Sequence, residues 1–238
     1  MEAKRIKKIM YGVLLSDGSL DKNTKRFDLY SKNKEYADYL QSVFSNLTHT
    51  KFSSMEKLDK RFGVKGWRVW STKSKYLSNT YDKFYPNNGR KVLSPYIAKR
   101  LDAEALAHVW MCDGYLEHAK NRKKNKVQNI GWFCLESFPK EELAHLQKTL
   151  EGLGVQSSLV KKPWGFGYRI RLGGEGLQRF ISLVYPYILD CFKYKTVLFY
   201  KKKSTALELP SAEHFVREYN EVDDIVRYSK KLEKTQNG

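Results

Sequence analysis

Tyr11-Gly12-Val13-Leu14-Leu15-Ser16-Asp17-Gly18 and, further along, Ala107-His108-Val109-Trp110-Met111-Cys112-Asp113-Gly114 decide the reading of this chain. Each is a short apolar run that ends in Asp-Gly. Such a run has no polar face, so as a helix it is buried all round, and the glycine after it is a stop signal. Asp17 and Asp113 lie 96 residues apart, and other stretches repeat with them. Gly66-Trp67-Arg68-Val69-Trp70 is echoed by Gly167-Tyr168-Arg169-Ile170-Arg171, and Phe84-Tyr85-Pro86 by Val184-Tyr185-Pro186. Three echoes in one order mark a duplicated unit of roughly one hundred residues.

Working outward, the first copy predicts a strand at 26–31 and a helix over 33–47 with Tyr36, Leu40, Val43, Phe44 and Leu47 on one face. Strands near 51–58 and 67–71 and a helix near 75–84 follow. The second copy predicts a helix at 103–112, a strand at 130–136, a helix at 140–153 ending at Gly154, and strands at 155–161 and 168–172. Those last strands flank a Trp164-Gly165-Phe166-Gly167 turn, and a helix at 175–187 closes the unit. With a weak strand after each Asp-Gly, each copy reads αββαββα, an α+β fold. The division is 1–100 for the first half-domain, 101–210 for the second and 211–238 for a tail. In the tail, Phe215, Tyr219, Val222 and Val226 at helical spacing predict a packed C-terminal helix that frays from Lys230. The second copy also inserts a basic loop, Lys120-Asn121-Arg122-Lys123-Lys124-Asn125-Lys126.

Composition narrows the partner. The 238 residues carry 44 Lys+Arg against 26 Asp+Glu, a formal net charge of +18. A field of that sign draws polyanions, and its spread along the whole chain points to nucleic acid. A hydrophobic fraction of 41% with 14% aromatics excludes a disordered basic tail. No stretch approaches ~18 apolar residues, so no membrane partner is expected. Cys112, Cys134 and Cys191 are too far apart for a zinc motif, and His49, His108, His118, His145 and His214 show no metal-ligand spacing. A sparse, odd cysteine count and a start without a signal-peptide apolar region predict an intracellular protein that is not secreted.

The two apolar helices can bury themselves against each other across the pseudo-twofold between the copies. Close approach needs small residues; Gly12 and Ser16 sit four apart on the first helix, and Ala107 supplies one on the second. The crossing would bring Asp17 and Asp113 together at one end. Paired carboxylates raise each other's pKa unless a cation separates them, and hard oxygen donors select Mg²⁺ or a similar ion.

The paired motifs, their spacing and the repeated element order resemble the LAGLIDADG homing endonucleases, most closely the single-chain, intron-encoded type, over about Ile9 to Lys195. The first motif matches at Gly12, Asp17 and Gly18, the second at Leu106, Ala107, Asp113 and Gly114; His108 stands where a small residue is common. The resemblance implies two pseudo-twofold-related half-domains packed through these helices, with antiparallel sheets forming a saddle. It implies metal binding by Asp17 and Asp113, assisted by the carbonyls of Ser16 and Cys112. A basic residue near each scissile phosphate would be Lys195 in one half and Arg90 or Lys91 in the other. The cofactor would be Mg²⁺ or Mn²⁺, two or three ions, with no organic cofactor.

Strand periodicity places Arg169 and Arg171 on one sheet face and Tyr168, Ile170 and Leu172 on the other; Arg68 and Trp70 repeat the pattern. Arginines so presented can fork onto guanine in the major groove. Arg26, Lys120, Arg122, Lys123, Lys124, Lys126, Lys161 and Lys193 complete the expected DNA surface. The expected function is a Mg-dependent, staggered double-strand break at a long non-palindromic DNA site, made by a monomer. The alternatives are an RNA maturase of the same fold, which binds its own intron, and a non-catalytic DNA-binding regulator.

Overall fold

The computed structural model describes residues 2–59, 64–121, 123–163, 165–201, 212–219, 225 and 228. Helix α1 (Glu2–Leu15) leads into β1 (Ser19–Leu20), β2 (Phe27–Ser31), α2 (Lys34–Phe44), β3 (Phe52–Asp59), β4 (Val64–Ser71) and α3 (Lys75–Phe84). A short turn of helix, α4 (Pro95–Ala98), joins this to α5 (Ala103–Asp113), β5 (Gly114–Asn121), β6 (Lys126–Phe133), α6 (Lys140–Gly152), β7 (Ser158–Lys161), β8 (Tyr168–Gly173) and α7 (Gly174–Val184). A 3-10 segment (Asp190–Thr196), β9 (Leu198–Lys201), α8 (Ala212–Phe215) and β10 (Val216–Tyr219) follow.

The duplication is visible in the sheets. One has the order β1-β2-β4-β3 and the other β5-β6-β8-β7, both antiparallel throughout. In each, alternate residues enter the core: Phe27, Leu29, Phe52 and Val69 in the first, Phe133, Ile170 and Leu172 in the second. Helix α2 covers the first sheet with Tyr36, Ala37, Leu40 and Phe44, and α6 begins the cover of the second with Leu143, Leu146 and Leu150. Asn33 caps α2 by accepting from Glu35 N, and Asp102 caps α5 by accepting from Ala105 N.

Between the sheets α1 and α5 pack side by side. Every residue of α1 from Ile9 to Leu15 is buried, as is every residue of α5 from Glu104 to Met111, as expected of helices without a polar face. The crossing is set by Gly12, where a Cβ would overlap the carbonyl of Ala105. Ala107, the small residue expected there, is fully buried, but the backbone that meets Gly12 is that of Ala105. His108 lies between the rings of Tyr36 and Tyr39. At the end away from Asp17, the Arg5 guanidinium grips the Glu104 carboxylate at 2.7–3.0 Å and Lys8 reaches Asp102 at 2.8 Å.

Two regions differ from the sequence expectation. The strand after the second Asp-Gly is not weak: β5 pairs along its full length with β6, from Gly114↔Phe133 to Asn121↔Lys126. The basic loop is thereby reduced to a hairpin tip, with Asn125 at φ 42°, and β6 sits at 126–133 rather than 130–136. The back of this hairpin is covered by the chain's end: Asn129 accepts from Phe199 N and donates to Phe199 O, and Val127, Val197, Phe199 and Ile225 cluster there. In the region of the expected C-terminal helix, Ala212–Phe215 is helical, with Phe215 fully buried, and Ile225 and Tyr228 are helical again. From Val216 to Tyr219 the chain is a strand parallel to β9, because the open edge of β9 offers backbone partners that a helix would forgo. Arg122, Trp164, Val222, Val226 and the tail from Lys230 lie outside the described residues.

Because the obstruction at Gly12 is backbone rather than a movable side chain, Gly12→Ala should cost about 3 kcal/mol of stability, at the upper end for overpacking. Urea denaturation compared with wild type measures it.

Candidate active site

Both central helices stop at the same end of the molecule. Gly18 N closes onto Val13 O at 2.8 Å, and Gly114 N returns to Trp110 O, so Asp113 is the last residue of α5 and Asp17 lies in the turn that follows Leu15. Asp17 reaches the surface, whereas Asp113 is half-buried. Burial, with the Asp17 carboxylate nearby, pushes the Asp113 carboxyl up to about 7. The Asp17 carboxyl is raised too, by crowding of its protein side; since the residue is open to solvent, Asp113 is the more perturbed of the pair.

Two lysines answer this concentration of negative charge in matching positions. Lys91 Nζ donates to the carbonyls of Ser16 (3.0 Å) and Gly18 (2.8 Å). Lys195 Nζ donates to those of Met111 (2.7 Å) and Cys112 (3.3 Å). Each therefore caps the carbonyl end of one central helix, where the helix dipole favours a cation. Burial lowers Lys91 to about 8 and lowers Lys195 as well, against the pull of both aspartates. Of the two residues the sequence left open, it is Lys91 that the structure brings to the carboxylates. Arg90 turns the other way and forks onto Glu142, which also accepts from Leu93 N at 2.8 Å.

Among the described residues no group of three or more His, Cys, Asp or Glu side chains could hold a metal. The oxygens at the helix ends are two carboxylates and the carbonyls of Ser16 and Cys112, hard donors throughout. That set fits a divalent ion such as Mg²⁺ that takes its remaining ligands from water and phosphate.

The face of each sheet away from the helices carries much of the expected DNA surface. On the first, Arg68 pairs across strands with Tyr30 and Met55, and Trp70 with Asp28 and Ser53. Arg68 is held by the Asp28 carboxylate. On the second, Arg171 lies between Trp132 and Ser158, and Arg169 is held by Glu136. Arg26, Lys123, Lys124 and Lys126 are exposed, the last three in or beside the β5–β6 turn. Two lysines fall elsewhere. Lys120 pairs with Val127 and Lys161 with Tyr168, so strand alternation turns both to the opposite face from the arginines, although each is exposed. Lys193 is tied to Asp190 at 2.6 Å.

Sequence reasoning missed four contributors. Asp28 and Glu136 orient the sheet arginines, and nothing in their local sequence marks them. Tyr115, half exposed on the open face directly after Gly114, was hidden in a segment read as a weak strand. Tyr36 was read as core; its ring is buried, but its hydroxyl touches His108 Nδ1 at 3.1 Å and Cys112 Sγ at 3.4 Å.

Two equivalent units joined through Asp-ended helices, each with a basic sheet face, define a pseudo-twofold architecture with a two-carboxylate centre. The LAGLIDADG DNA endonuclease family matches residues 7–180, and the chain belongs to that family. It is 28% identical over 209 residues to the DNA endonuclease I-ChuI of Chlamydomonas applanata, covering 79% of this chain and 93% of that one. The homing endonuclease I-WcaI, solved bound to its DNA recognition sequence, shares the fold with a TM-score of 0.66 at 22% identity, over 81% of this chain and 85% of that one. Among the described residues, no helix is long and apolar enough to cross a membrane.

The raised Asp113 carboxyl has a consequence for stability. Its folded pKa lies above the unfolded value, so the folded state holds the proton more tightly. That advantage is present at low pH and is lost as pH rises towards about 7. Without divalent cations, Asp113→Asn should raise Tm at pH 8 by roughly 2–4 °C, the shift given by about 1 kcal/mol at this size. The gain should shrink towards pH 5; calorimetry in a chelator at both pH values checks it.

Proposed function

We propose that this chain is a site-specific DNA endonuclease that breaks both strands of a long, non-palindromic duplex site of ~20 bp. The reading rests on one observation above the rest: Asp17 and Asp113 stand at the ends of the paired helices, and Lys91 and Lys195 each bond to main-chain carbonyls beside one of them. In this reading residues 1–100 and 101–210 each serve one half-site, the protein works as a monomer, and the cuts are staggered with short 3′ overhangs.

Asp17 and Asp113, with the carbonyls of Ser16 and Cys112, would hold Mg²⁺ or Mn²⁺, two or three ions. A divalent ion there supplies Lewis-acid polarisation of the phosphate and eases deprotonation of water. The chain's own groups do the rest. Lys91 and Lys195 are close enough to the carboxylates to feel both, so each amine can stabilise charge building on a phosphate brought to that carboxylate. With its pKa at about 8, Lys91 Nζ can also give up or take a proton near neutral pH, which Arg90 could not do.

The sheets supply the site. Arg68 and Arg169 are held by carboxylates that lock their side chains, so less ordering is needed on binding. With Trp70 and Arg171 they face the major groove of successive half-sites. Lys123, Lys124 and Lys126 at the hairpin tip contact phosphate, which makes affinity fall with salt.

A randomised duplex library incubated with Mg²⁺ tests the proposal, with enriched cut ends sequenced. A single asymmetric consensus is expected from the wild type. Asp17→Asn and Asp113→Asn should each lower cleavage by more than ~10³-fold while DNA is still bound. Lys91→Met should slow it by ~10²–10³-fold, the loss typical of one charge-stabilising group. Products that survive both aspartate changes would sink the paired-carboxylate mechanism. Tight binding of intron RNA with no DNA product would instead support the maturase.

A further inference from the structure

The two halves repeat their carboxylates and lysines, but not what lies behind the carboxylates. Behind Asp17 a line of polar groups runs into the core. Cys112 precedes Asp113 at the end of α5, and its thiol holds the Asp17 carboxyl down against the rise that burial causes. The sulfur lies 3.4 Å from the Tyr36 hydroxyl, and that hydroxyl lies 3.1 Å from His108 Nδ1. His108 is fully buried between Tyr36 and Tyr39, and its Nε2 has no hydrogen-bond partner.

The unpartnered nitrogen fixes the direction of the line. A buried N–H without an acceptor is rare, whereas an unpaired acceptor is better tolerated. His108 therefore carries its proton on Nδ1 and donates to Tyr36 Oη. The single Tyr36 hydrogen is then free to point at Cys112 Sγ, and the thiol hydrogen at the carboxylate. The Ser16 hydroxyl also lies beside the sulfur. Its own hydrogen goes to Gly12 O (3.1 Å) or Val13 O (3.2 Å), and a charged carboxylate is the stronger acceptor for the thiol.

Among the described residues the second half has no such line behind Asp113. The residues in the equivalent places are Gly12 for His108, Glu142 for Tyr36 (each third after its helix cap) and Ser16 for Cys112. Gly12 has no side chain, Glu142 is taken by Arg90 and Leu93, and Ser16 bonds back to its own helix. We propose that His108, Tyr36 and Cys112 form a one-directional hydrogen-bond relay that positions the Asp17 carboxylate alone, so that the two strands are cut by unequal centres. This rests on the nuclease reading, and its test is split so that the two can fail separately.

The first arm needs no activity: the infrared S–H stretching band of Cys112, identified by its loss in Cys112→Ser. Asp17→Ala should move that band to the higher frequency of a weakly bonded thiol. An unmoved band overturns the relay whether or not the protein cuts DNA. The second arm is single-turnover cleavage of a duplex labelled separately on each strand. Tyr36→Phe and Cys112→Ala should each slow one strand roughly tenfold, as for loss of a hydrogen bond to a charged group. The other strand should stay within about twofold, so that nicked duplex accumulates. Cys112→Ser should restore the slowed strand, since a hydroxyl can replace the thiol as donor. Equal slowing of both strands, or no rescue by serine, would mean that Tyr36 and Cys112 are packing residues only. If the wild type cuts neither strand, the nuclease reading fails while the infrared arm still decides the relay.

Discussion

The contact of Gly12 with the backbone of Ala105 is the constraint on which the rest depends. It lets two helices with no polar face lie close enough to bury each other, and one continuous core can then run through both halves. Because the helices are in contact, their ends are too. Without that closeness Asp17 and Asp113 would be two unrelated turn residues. Arg5 on Glu104 and Lys8 on Asp102 tie the opposite end of the pair. The crossing is thus fixed by a backbone approach in the middle and ion pairs at one end, leaving the carboxylate end free for chemistry.

That end is electrostatically unfavourable by construction. Two carboxylates and the carbonyl termini of two helices converge where solvent is partly excluded, and the raised Asp113 carboxyl and depressed lysines register the conflict. Lys91 and Lys195 relieve it as tethered counter-ions seated on main-chain oxygens, including both carbonyls that the metal would use. The same convergence that strains the resting fold makes the place attractive to a small, hard cation.

Much of this was legible in the sequence. The apolar runs ending in Asp-Gly gave the central helices and the paired acids, since burial all round leaves little choice of packing. Three echoes gave the duplication, and alternation in Tyr168–Leu172 gave the correct faces for Arg169 and Arg171. Illegible were features that depend on partners distant in the chain. Whether Arg90 or Lys91 enters the site is decided by Glu142, some fifty residues on, which takes the arginine. The strand at Val216–Tyr219 follows from the edge of β9 rather than from its own spacing, so helical periodicity misled over those four residues, whereas Ala212–Phe215, Ile225 and Tyr228 are helical. Lys120 and Lys161 were placed by charge, whereas register turns them away from the arginines.

The strap of β9 and β10 behind the β5–β6 hairpin has a consequence for how the molecule comes into being. The basic hairpin is synthesised some seventy residues or more before Val197, Phe199 and Ile225, the residues that cover its back. During translation the first half can pair its sheet and close on its helices while the second half still waits for its last buried surface. Asn129, which pairs with both backbone groups of Phe199 in the fold, is left to water until then. The hairpin with its cluster of lysines is therefore left without its cover until Val197, Phe199 and Ile225 have been made, on the ribosome, itself a surface of nucleic acid.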